Sequence, residues 1–483
     1  MKHSSPQTAV TIKNSEHFYA WLLNENISLG FTTYQSNRLF LIGCKSNGHL
    51  GVNERLFDKP MGLCVRDQRL YMSSRYQLWQ FDNHLAPGER YREADCLFVP
   101  SLAYTTGDVN IHDVVATPEH QLLFINTDFS CLATLRPGYS FEPVWQPPFI
   151  SKLVAEDRCH LNGLAMQQGK PSYVTACSRT DTAAGWRQHR FDGGVVIHIP
   201  SDEIIATGLS MPHSPRWYRG KLWLLNSGTG EFGFVEDGYF RPVQFCPGFV
   251  RGLAFYDDYA VVGLSKLRSK TFGGLLLETR LAEQGISPQC GLMVIKLSTG
   301  QLQHWLQIDG VVEELFDVVV LPGVRLPKVL GLQNDDIERL VTYPGSNGLV
   351  TTKPSVSRPG MTKPPIAGIP QSNPAVPIQE VTVKYQQVHH LNPDNLIPYE
   401  AMTYPSLQAR WQTQPQRGEL LGISASVAGE MVGFAVAECL TLDNGQQATE
   451  LLSLFVVPTY RRQGIGSQLV KLAQQRANRF FSE

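Results

Sequence analysis

Between Leu454 and Val470 the chain reads LFVVPTYRRQGIGSQLV: an apolar strand, a glycine-bearing turn and the start of a helix. A helix N-terminus offers unpaired N–H groups and the positive end of its dipole. Glycines at 464 and 466 let the backbone close on a phosphate with no Cβ in the way. Arg461 and Arg462 can add charge to the same anion. The expected chemistry is to hold the phosphate of a large cofactor. The amides of Arg462, Gln463, Gly464, Ile465, Gly466 and Ser467 would face it.

A second set of residues comes from repetition. MGLCVRDQRLYMSS from 61, HDVVATPEHQLLFINT from 112, NGLAMQQGKPSYVTAC from 162, HSPRWYRGKLWLLNS from 213, RGLAFYDDYAVVGLS from 251 and FDVVVLPGVRLPKVLGL from 316 share one pattern. Each has a small residue, a short apolar strand, a polar turn and a second apolar strand. GFTTYQSNRLFLIGC, from 30, is a weaker seventh copy. Aligned at the small residue, the preceding position holds Met61, His112, Asn162, His213, Arg251 and Phe316. Around a common axis, the four polar members would converge. Asp113, Asp317 and Glu314 lie beside the column.

Three roles fit such a ring. His, Asn and carboxylates could hold a divalent cation, as in propellers of the lactonase type, although Arg251 would repel one. An anion could be met by Arg251 and the two histidines. The groups could also bond each other and trapped water to close a channel. No Ser/His/Asp order or Cys/His pairing stands out. Trp217 and Trp223 read as packing between blades.

The elements that must position these residues fall into three parts. Strand pairs at this period predict a β-propeller over residues 15–343, with seven blades or alternatively six. A β-sandwich with coincidental repetition is the competing fold. Helical periodicity is confined to SEHFYAWLLNEN and GLLLETRLAEQG. Residues 344–380 hold eight prolines and no acidic residue before Glu380, which predicts an extended linker.

From 381 the pattern turns α+β. VTVKYQQVHHL reads as a strand. NPDNLIPYEAMTYPSLQAR reads as a helix capped by Asn392 or Asp394. LLGISASVAGEMVGFAVAECLTL is a hairpin turning at Ala428-Gly429-Glu430. TELLSLFVVP is a strand ending at Pro458. GIGSQLVKLAQQRANRFF is an amphipathic helix with Leu469, Leu472 and Ala473 on one face.

Composition narrows the function further. Lys+Arg 42 against Asp+Glu 43 gives no bulk electrostatic attraction to nucleic acid or an anionic membrane. No apolar run approaches the roughly 20 residues that span a bilayer, and the N-terminus lacks an apolar signal segment. Nine dispersed cysteines without a CxxC pair suit reduced core thiols. A cytoplasmic location is expected.

The C-terminal part resembles the GNAT family of acyl-coenzyme A-dependent N-acetyltransferases over about 100 residues. Arg461, Gly464 and Gly466 match the family's Gln/Arg-x-x-Gly-x-Gly/Ala signature in its strand–turn–helix setting. The resemblance implies acetyl-CoA as cofactor, an amine acceptor, and a pantetheine arm received by Leu454, Phe455 and Val456. It also implies that Glu450 matches the glutamate some members use as general base.

A full domain of that family continues with another strand, a helix and a tyrosine-bearing segment beyond the position of Glu483. The expectation is a fragment of a longer protein, or else a degenerate enzyme. Weak cofactor binding follows for the 483-residue form. The N-terminal part resembles a bacterial family of unknown function through MPHSPRWYRGKLWLLNSGTGEFG at 211–233. That likeness brings no activity with it. The propeller is read as a binding or recruitment domain for a small ligand.

Overall fold

The computed structural model describes residues 10–267, 273–332, 337, 339–344, 346, 349–351, 383–391, 419–441, 447–457, 460 and 464–480. Two compact units divide the chain, Met1–Met361 and Thr362–Glu483.

In the first unit the polar turn of every repeat copy but the last closes a local antiparallel hairpin. Leu63–Arg66 pairs with Arg69–Ser73, and Leu161–Gln167 pairs with Lys170–Ala176. Six sheets of four or five strands result. Their inner strands are Leu63–Arg66, Ile111–Ala116, Leu161–Gln167, Pro212–Tyr218, Phe249–Tyr256 and Val318–Pro322. Each inner strand neighbours the next, and Phe249–Tyr256 meets Val318–Pro322 to close the ring. The unit is a six-bladed propeller.

Six blades, not seven, follow from how the last copy is used. Its first strand, Val318–Pro322, pairs with Ile27–Thr33, so the weak copy at 30 and the copy at 316 share one sheet. Its second strand, Pro327–Val329, lies parallel to Cys96–Thr105 at the rim of another blade. Gly323, Val324, Arg325 and Leu326 separate the two strands, which do not pair with each other. The ring is closed by chain segments nearly 300 residues apart.

Apolar side chains fill the spaces between blades. Leu39, Leu41, Val319 and Leu321 pack with Leu70, Met72 and Phe81 of the adjacent sheet. Trp217 stacks on Tyr173 of the neighbouring blade at 5.7 Å. Trp223 packs on Phe232 and reaches Phe255 of the next blade. Both expected helices form, at Phe18–Asn24 and Leu276–Glu283. Eight of the nine free cysteines are buried, Cys64 being half-buried, and burial pushes the Cys44 thiol up to about 11.

Within residues 344–380 only a few positions are described. Val350–Thr351 pairs there with Leu340–Val341.

The second unit is a four-stranded antiparallel sheet in the order Val383–Leu391, Glu419–Val427, Glu430–Thr441, Gln447–Val456. The hairpin turns on Ala428 and Gly429 alone, both at positive φ (51° and 91°), while Glu430 already pairs with Val427. Such a two-residue turn matches the twist of its strands. Helix Ile465–Phe480 lays Ile465, Leu469 and Ala473 on Ile423, Ala425, Val432 and Ala435. The helix expected at 392–410 lies outside the described residues.

Candidate functional site

The propeller channel carries two polar layers, one above the other. Asp113 and Asp317, one position past the aligned column, do not join that ring. They turn to Arg216, whose Nη1 donates to Asp113 Oδ2 at 2.7 Å and whose Nη2 lies 3.7 Å from Asp317 Oδ1. Asp113 Oδ2 also accepts from Leu164 N at 2.9 Å, and Asp317 Oδ2 from Leu63 N at 2.8 Å. The carboxylates thus tie inner strands of different blades together. Burial pushes the Asp317 carboxyl up to about 7, with Arg216 opposing the rise and Asp113 adding to it. Burial would lower Arg216, but the charges of Asp113 and Asp317 more than offset that and raise it. Arg216 also walls a cavity of about 350 Å³ whose remaining lining is mostly apolar, including Met166, Tyr218, Phe255 and Val320. Sequence reasoning missed Arg216, although it stands three residues after His213.

The other layer is the aligned column, and all six of its members are buried. The His112 ring meets Phe316 edge-on at 5.3 Å. The Arg251 guanidinium sits 5.1 Å from the Phe316 ring centre, 5.2 Å from Phe249 and 5.8 Å from Tyr34. His213 meets Phe249 at 5.6 Å, and Asn162 Nδ2 donates to Pro212 O at 3.0 Å. Tyr34 OH donates to Glu314. Residues from five blades therefore share one end of the channel.

The two histidines are held alike. His112 Nδ1 lies 3.0 Å from Asn110 O and 2.7 Å from Thr127 Oγ1, whose own proton goes to Leu161 O. His213 Nδ1 lies 2.7 Å from Met211 O and 2.9 Å from Ser227 Oγ, whose proton goes to Val250 O. A carbonyl can only accept, so the network assigns the proton to Nδ1 and leaves Nε2 as a lone pair. Burial first, then neighbouring charges including Arg251, lower both histidines well below their usual value. Neutral imidazoles with outward lone pairs cannot donate to an anion. The expectation that both would do so is corrected; Arg251 is the donor of the ring.

The divalent-cation role has no support in the geometry. Among the described residues no group of three or more His, Cys, Asp or Glu is placed to hold a metal ion.

A neighbouring group also escaped sequence reasoning. His160 Nδ1 lies 2.9 Å from both Asp157 oxygens, and its ring stacks on Trp186 at 4.1 Å and meets His112 at 5.0 Å. DRCHLN, just before the aligned Asn162, was the available signal.

In the second unit, Gly464 takes a φ of +80°, and a Cβ built there would meet nothing within 4 Å. Among the described residues nothing crowds the turn. The first hydrogen bond of the following helix runs from Gln468 N to Gly464 O at 3.0 Å. The amides of Ile465, Gly466 and Ser467 therefore have no intrahelical acceptor. The residues present fit a phosphate-bearing cofactor. Strand Gln447–Val456 is last in the sheet order, and its register slips at Val436/Ala437, just before Leu454 pairs with Ala435. A bulge there re-aims the strand.

Glu450 is the register partner of Glu438, a buried carboxylate that sequence reasoning did not single out. The Glu450 side chain lies outside the described residues, as do Arg461, Arg462 and Gln463. Among the described residues no helix is long and apolar enough to cross a membrane.

The molecule is thus a six-bladed propeller joined in sequence to an acetyltransferase-type α+β domain. Residues 16–330 match the model described as Domain of unknown function (DUF4915), and the chain belongs to that family. Residues 385–480 match the Acetyltransferase (GNAT) family, so a GNAT domain is present.

None of the curated proteins compared with the chain matches it. Among solved structures, a chain of the nidogen/laminin complex is 10% identical, spans 62% of this chain and 99% of its own, with a TM-score of 0.39. A protein of unknown function from Bacteroides caccae is 11% identical over 61% of this chain and 98% of its own, at 0.38. An aminoglycoside acetyltransferase from an uncultured soil metagenomic sample, in complex with sisomicin, is 16% identical over 20% of this chain and 70% of its own, at 0.16.

Proposed function

We propose that the chain transfers an acetyl group from acetyl-CoA to an amine acceptor through its C-terminal domain. The observation that carries this reading is the turn at Gly464. Its left-handed backbone and the first-turn amides of helix Ile465–Phe480, which have no intrahelical acceptor, suit a pyrophosphate. The end strand at Leu454, Phe455 and Val456 is the place for the pantetheine arm. Bound acetyl-CoA would supply the thioester. Glu450 takes the proton that an ammonium acceptor must lose before it attacks. The propeller serves as a binding module in the same cytoplasmic protein.

Calorimetric titration of acetyl-CoA into the 483-residue chain and into Gly464→Asp tests the cofactor. The substitution sets a carboxylate against the pyrophosphate and strains a backbone that favours glycine. Affinity should fall at least tenfold. Equal affinity in the two proteins overturns the reading.

A further inference from the structure

The two polar layers of the channel differ in one respect. In the Arg216 layer both carboxylates and the guanidinium have partners. In the His112 layer, Asn162 Oδ1, His213 Nε2 and Arg251 Nε are buried and have no hydrogen-bond partner among the described residues. Their residues are 3%, 4% and 6% exposed. Buried polar atoms are nearly always paired, so three orphans in one ring call for a missing partner.

The chemistry of that partner follows from the atoms. Asn162 Nδ2 is committed to Pro212 O and Cys177 Sγ, which fixes the amide and turns Oδ1 out as an acceptor. His213 Nε2 is a lone pair, because Nδ1 carries the proton. Both need O–H or N–H donors. Arg251 needs an acceptor, preferably an anion, since three aromatic rings cover it and burial lowers its pKa against the pull of Glu314. An ammonium donor would set a second positive charge beside Arg251, so neutral hydroxyls fit better. A bare inorganic anion would leave the two acceptors unsatisfied.

We propose that this end of the propeller channel binds a small hydroxylated carboxylate. Its carboxylate accepts from the Nε edge of Arg251. Its hydroxyl groups donate to Asn162 Oδ1 and His213 Nε2. The site is separate from the acetyltransferase chemistry and stands or falls without it.

The test is the melting of the full chain in millimolar lactate, malate and gluconate. The controls are propanoate, succinate and hexanoate, which lack the hydroxyls, and glucitol, which lacks the carboxylate. At least one hydroxy acid should raise the propeller melt, with its deoxy control at least tenfold weaker. Arg251→Met should abolish the shift while the propeller still melts cooperatively, because the substitution removes the Nε donor that has no partner in the ring. Arg251→Lys, which keeps the charge and loses the Nε edge, should weaken the shift at least tenfold.

Three results would overturn the proposal. No hydroxy acid shifts the melt; the deoxy acids act equally; or the shift persists in Arg251→Met. A ligand-free melt that drops in Arg251→Met, together with no response to any acid, would assign the ring to channel closure through water.

Discussion

Arg216→Met isolates the buried charge cluster that ties the propeller's blades together. Methionine fills a similar volume but leaves Asp113 and Asp317, which are 2% and 3% exposed, without their guanidinium. Removing one partner of a buried ion pair costs about 3–5 kcal/mol. A fifth of the Arg216 side chain faces the cavity, so screening places the cost near the lower end, about 3 kcal/mol.

The cost should depend on pH. Burial raises Asp317 from 3.8 to about 7. Between those values the folded state holds a proton that the unfolded state has released, and stability falls as pH rises across that window. Arg216 is what opposes the rise, so in the variant the Asp317 value moves higher still and the loss continues above pH 7. The variant's deficit is therefore larger at pH 8 than at pH 5. The difference is up to about 1.4 kcal/mol for each pH unit over which one extra proton is retained.

Urea unfolding followed by tryptophan fluorescence reads this directly, since seven of the eight tryptophans lie between Trp21 and Trp305. A deficit below about 1 kcal/mol, or one that is flat from pH 5 to pH 8, would refute the reasoning that the cluster is buried and coupled.

Two further outcomes are expected. Glu450→Gln should lower acetyl-transfer turnover at neutral pH by about 10²–10⁴-fold while leaving acetyl-CoA affinity nearly intact; a loss under tenfold returns Glu450 to a solvated strand residue. Gly252→Ala should cost more than Gly208→Ala in thermal melts, although both have φ near +78° (78° and 77°). A Cβ at 252 would meet Val318 N at 2.8 Å, while one at 208 meets nothing within 4 Å. Strain alone is worth about 1–2 kcal/mol, so equal costs would remove the close approach of the two inner strands as a cause.

The sequence by itself determined the local structure. Hairpins of the blades, two helices, the Ala428-Gly429 turn and the strand–glycine–helix unit at 464 are written in alternation, turn residues and amphipathic spacing. These act over a few residues. The residue types of the inner column were equally legible, because blades repeat.

Tertiary structure alone decided what depends on distant partners. The blade count rested on Val318–Pro322 finding Ile27–Thr33, and nothing within either segment specifies that pairing. The assignment of Asp113 and Asp317 to a second layer depended on Arg216, which belongs to a different blade from either carboxylate. The histidines' proton positions were set by the carbonyls of Asn110 and Met211 together with Thr127 and Ser227, each hydroxyl bound in turn to a carbonyl of the next inner strand. A side chain's type fixes what it can donate or accept; only the neighbours brought by the closed ring fix which of its atoms remains for a ligand.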